Sequence, residues 1–85
     1  MRDNFVKFRE NFDKTSLKEN FEFLNKNRDY IIEVFEKNGL IINAIYFKNH
    51  LLSLQGQIET TEKIGLYEFD ENEFLELLDD FLKLL

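Results

Sequence analysis

The sequence predicts an all-α fold, a small helical bundle, and three observations point there. There is no proline and only three glycines to interrupt a helix. Apolar residues recur at steps of three and four along most of the chain, and capping residues stand where those stretches begin and end.

Taken in order, Phe5, Phe8 and Phe12 fall on one face of a short first helix, with Asp3 or Asn4 as its cap. Thr15-Ser16 then precede Glu19, the spacing at which side chains at the cap and third position satisfy orphan backbone amides. A second helix is expected from there to about Asn38. Leu17, Phe21, Leu24, Ile31 and Phe35 form its stripe, Arg28 interrupts it and Val34 widens it. Gly39 followed by Leu40 fits a helix stop, because glycine accepts the left-handed conformation and the next apolar residue packs back on the last turn. Leu40, Ala44, Phe47, Leu51, Leu54 and Ile58 continue the rhythm as a third helix, antiparallel to the second, with Ile41, Ile45 and Leu52 giving it a wide apolar face.

Asn38-Gly39 is also a strong hairpin signal, so the alternative is an α+β fold with strands at residues 30–36 and 40–47. Helix is preferred because six consecutive apolar positions hold the four-three spacing, whereas strand alternation fails at Leu40-Ile41-Ile42 and at Tyr46-Phe47. Residues 59–69, polar and containing Gly65, read as a loop or frayed helix end. Asp70 with Glu73 opens a last helix, both acids favourably placed against the helix dipole. Its apolar half holds Phe74, Leu75, Leu77, Leu78, Phe81, Leu82, Leu84 and Leu85, and its polar half Glu73, Glu76, Asp79 and Asp80.

At 85 residues the chain holds one domain, residues 1–85, with one modest core. With 44% hydrophobic and 33% charged residues it is neither disordered nor membrane-spanning, since no apolar run approaches the roughly 20 residues of a span. The absence of cysteine suits a reducing compartment, and the N-terminus lacks the apolar region of a secretory signal, so a cytoplasmic location is expected. Ten Phe and three Tyr are many for this length, and the apolar total exceeds what so small a domain hides. Some of it should meet a partner or a second copy.

Charge is unevenly placed. Residues 1–48 hold nine Lys and Arg against eight acids, a balance of +1; residues 49–85 hold two Lys against nine acids, a balance of −7. A surface of that sign disfavours direct contact with nucleic acid or anionic lipid and favours a protein partner with a basic surface. Glu73, Glu76, Asp79 and Asp80 span roughly 10 Å of helix at about 1.5 Å per residue. Duplex DNA carries a phosphate about every 3.4 Å along each strand, so this row resembles a nucleic-acid backbone in charge density. The competing reading is a plain solvated helix face. Tyr46 and Phe47, with His50 and Leu51, are a second candidate docking patch, against the reading of that stripe as core.

No enzyme, cofactor or metal site is expected. His50 and Ser53 stand one turn apart with no positioned carboxylate or oxyanion site to complete them. A calcium loop starting at Asp70 would need glycine where Leu75 stands and glutamate where Phe81 stands. No glycine-rich phosphate loop precedes a helix. The expected function is therefore a small acidic regulatory or inhibitory protein that occupies a basic surface. In composition alone it is similar to the inhibitors made by phages and other mobile elements, a likeness that assigns no residue. The alternative is a helical structural or adaptor module that self-associates, with a homodimer as its simplest form.

Overall fold

Five helices follow one another in the computed structural model, which describes residues 2–59 and 70–85: α1 (Arg2–Glu10), α2 (Leu17–Lys26), α3 (Arg28–Lys37), α4 (Ile41–Glu59) and α5 (Glu71–Leu82). Among the described residues there is no strand, so the α+β alternative is set aside: residues on both sides of Asn38-Gly39 are helical. Of the loop expected at residues 59–69, Glu59 belongs to α4 and the rest lies outside the described residues.

Local chemistry explains most of the boundaries. Ser16 caps α2, its hydroxyl accepting from the Glu19 amide at 3.2 Å, and Asp70 caps α5 by accepting from the Glu73 amide at 3.0 Å. At the end of α3 the Leu40 amide donates to the Phe35 carbonyl at 2.9 Å and the Gly39 amide to the Glu36 carbonyl at 3.1 Å. This is the paired closure that needs a left-handed residue, and Gly39 supplies it with φ of 75°. α1 begins earlier than its sequence suggests: Asp3 and Asn4 lie inside its first turn and do not cap it.

The long second helix expected from Ser16 to Asn38 is in fact two. Asn27, with φ −102° and ψ 9°, leaves helical geometry, and its side-chain amide donates to the Phe23 carbonyl at 2.8 Å. An asparagine that bonds its own preceding turn competes with helix continuation. The break also settles Arg28, which an unbroken stripe would have aimed at the core. Its guanidinium instead sits partly exposed beside Asp29 at 2.9 Å, avoiding the cost of burying a charge.

α4 packs most extensively on α3 and α2, while α5 closes the core against α1, α4 and α3. Leu24, Ile31, Phe35, Phe47, Leu54, Phe74 and Phe81 are fully enclosed. Phe5 meets Phe81 edge to face at 5.0 Å between ring centres, and Phe8 stacks on Phe23 at 4.3 Å. Phe12, just beyond α1, is buried near Phe74 at 5.6 Å.

Asn20 is the buried polar side chain of this core. Its amide donates to the Phe12 carbonyl at 2.7 Å, tying the α1–α2 connection to α2. Asn20→Ala removes that buried bond and is expected to cost about 1–3 kcal/mol. A lower urea midpoint at unchanged slope would register the loss.

Candidate protein-docking face

The acids of α5 do not act as one row. Going round α5 at about 100° per residue, Glu73, Glu76 and Asp80 fall within about 60° of one another, and Asp79 lies about 60° beyond Glu76. Asp79 turns toward α1, where its two carboxylate oxygens accept from Arg9 Nε at 3.0 Å and a terminal guanidinium nitrogen at 3.4 Å. This two-pronged pair occupies Asp79 and links α1 to α5. Expecting all four acids to share one outward arc is therefore corrected at Asp79, which is held by the chain's own cation.

Glu73, Glu76 and Asp80 face α4. With Leu77 they line one wall of a groove of about 270 Å³, whose other wall is Asn43, Tyr46 and His50. Steps of three and four on both helices bring these residues to one trough. His50 is mostly covered, edge-on to the Phe74 ring at 5.8 Å, with Nε2 at 3.5 Å from Glu73 Oε1. Asp80 lies 3.9 Å from exposed Lys83, a contact of little energetic weight. Glu76 has no charged partner among the described residues.

Tyr46 and Phe47, neighbours in the sequence, separate here. Tyr46 is 51% exposed at the lip of this groove, whereas Phe47 is fully enclosed against α5. Phe47 is core, so its expected place on a docking surface is corrected: no partner reaches it while the fold is intact.

The sequence reading missed the most exposed part of this face. Ile41, Ile45 and Leu52 were expected to widen the apolar face of the third helix, yet they and Ile42 are each roughly half to two-thirds exposed. α4 has apolar residues on every side, but only the side carrying Ala44, Phe47, Leu51 and Leu54 is covered. Together with Tyr46, the uncovered side chains leave on the order of 500 Å² of apolar surface in water, at the upper end for a monomer. Asn43 was also missed, having no signal of its own.

Beyond this ridge the charge is mixed. A second groove, of about 320 Å³, includes Lys48 with Asn49 and Leu52 and has no carboxylate in its lining. Arg28 also borders it but is paired with Asp29, and both cations border a further groove that carries Asp29, Glu33 and Glu36. Lys37 lies outside the lining of the second groove and is held by Glu33 at 2.7 Å; this hydrogen bond, with the charge attraction, raises the lysine pKa above its ordinary value.

Fold and surface together define a small all-α protein presenting an aliphatic ridge between an acidic groove and one that carries Lys48. Compared with known proteins, the chain matches no family model, no curated protein and no solved structure. Among the described residues no helix is long and apolar enough to cross a membrane, and no three His, Cys, Asp or Glu side chains are grouped so as to hold a metal ion.

Proposed function

We propose that the protein is a binding module that regulates or inhibits a protein partner by seating its basic surface on the α4–α5 face. The observation that carries this reading is the convergence of Glu73, Glu76 and Asp80 with exposed Tyr46 beside an uncovered aliphatic ridge. Charge steers the partner and selects it, and apolar contact holds it. The surface displaced in this way is one that would otherwise contact nucleic acid, as for the acidic inhibitors of phages and mobile elements. The cytoplasm is the compartment proposed, in keeping with a cysteine-free chain. Binding is proposed in preference to catalysis because the groove that holds His50 and Glu73 has no serine, threonine or cysteine in its lining.

The test is capture from nuclease-treated lysate of the native host. Triple neutralisation, E73Q with E76Q and D80N, is expected to weaken capture by about tenfold or more, and capture by the native chain should fall steeply with salt. D79N serves as the control: it removes a carboxylate already held by Arg9 and should leave capture nearly unchanged. Equal capture by the triple variant and the native chain would remove the electrostatic part of the proposal.

A further inference from the structure

One edge of the α4 ridge is acidic and the other carries Lys48, and the ridge has the spacing of a helix-pairing seam. Ile42, Ile45, Asn49 and Leu52 follow one another at steps of three, four and three. That is the alternation of a two-stranded coiled coil, with Ile42 and Asn49 in one class of core position and Ile45 and Leu52 in the other. The asparagine in the first class favours two parallel strands, because the asparagines can bond each other across the axis, and Leu52 in the second class agrees with it, whereas Ile45 departs from that pattern. None of the four is among the enclosed core residues, so the seam is not used among the described residues.

We propose that a second copy of this chain covers the ridge, the two α4 helices lying parallel about a two-fold axis. Charge fixes the direction. An axis along α4 exchanges the edges, so that Glu73, Glu76 and Asp80 of each copy face Lys48 of the other, while Arg28 stays paired with its own Asp29. An axis lying across α4 within the interface would set acid against acid, bringing six carboxylates into one trough. The first arrangement attracts and the second repels. Two copies of this face hold on the order of 1,000 Å² of exposed apolar surface, an upper bound on what the pairing buries, and the flanking grooves must contribute for it to reach the size of a specific interface.

This inference rests on the reading of the α4–α5 face as a protein-binding surface and names an occupant for it. A foreign basic surface would compete with the second copy for the same carboxylates, so the dimer stores the docking face until such a partner arrives.

Sedimentation over a concentration series should show the native chain passing from monomer to dimer. Ile45→Asp places an unpaired carboxylate in the seam and should weaken the dimer by at least about tenfold. Its circular dichroism and urea midpoint should stay near native, because Ile45 is already half exposed. If that variant fails to fold, Leu52→Lys takes its place.

The direction is read by disulfide trapping, without background because the chain has no cysteine. Ile42→Cys and Leu52→Cys lie about 15 Å apart along α4, beyond disulfide reach of each other's position. In the parallel dimer each variant should cross-link to itself. Cross-links forming only when the two variants are mixed would overturn the parallel arrangement. A native chain that stays monomeric at every concentration would overturn the second copy altogether, even if the acids still capture a basic protein. A dimer whose acids capture nothing would instead remove the basic-partner reading and leave this one standing.

Discussion

Phe81→Ala is expected to remove about 3–5 kcal/mol of folding stability. The ring is fully enclosed, with Phe5 at 5.0 Å, Phe35 at 5.7 Å and Tyr30 at 6.3 Å between centres. It is where α1, α3 and α5 meet, so truncation leaves a cavity lined by aromatic rings too bulky to close in on it. A domain of this size holds only about 5–15 kcal/mol in total, so the variant should be partly unfolded at room temperature or melt far below the native chain. Urea unfolding followed by far-ultraviolet circular dichroism measures the loss. A cost below about 1 kcal/mol would mean that α5 is not docked as described, and the acidic groove would lose its second wall.

Phe47→Ala and Tyr46→Ala should separate stability from binding at adjacent positions. Phe47 is enclosed, stacked toward Phe74 at 6.4 Å, and its truncation is expected to cost about 3–5 kcal/mol. Tyr46 is half exposed and at the lip of the groove, so Tyr46→Ala should change stability by no more than about 1 kcal/mol while weakening capture of the partner. Parallel urea titrations and capture assays decide the matter. Equal destabilisation of the two variants would show that Tyr46 belongs to the core and not to the docking face.

The helices were legible in the sequence because their signals are local. Ser16, Gly39 and Asp70 end or begin helices through bonds to residues within five positions, and the hydrophobic spacing of α4 needed no tertiary information. The break at Asn27 was not legible as a break. Arg28 marked the place by interrupting the stripe, but whether a charged residue is tolerated there or splits the helix depends on what the helix packs against. Asn20 was missed for a related reason: a polar residue between Glu19 and Phe21 says nothing of the Phe12 carbonyl it satisfies eight residues away.

The docking face was half legible. Glu73, Glu76 and Asp80 were picked out by charge and Tyr46 by its excess apolar neighbourhood, but their convergence is set by how α4 lies on α5. Asp79 differs because Arg9, seventy residues away in the chain, comes within reach only in the folded state. The aliphatic ridge carried a usable sign: with apolar residues on every side of α4, a domain this small cannot cover them all. The three-four-three run from Ile42 to Leu52 indicates which side is left over.

The footprint of binding is the most direct test of the claim that proteins dock on the α4–α5 face. Amide chemical-shift mapping of the isotope-labelled chain, first against its own dilution and then against the captured partner, reads it residue by residue. The account predicts changes centred on Ile42, Ile45, Tyr46 and Leu52 together with Glu73, Glu76 and Asp80, while Lys7, Glu19 and Phe23 stay still. Changes centred on α1 and α2, with α4 and α5 unmoved, would contradict it.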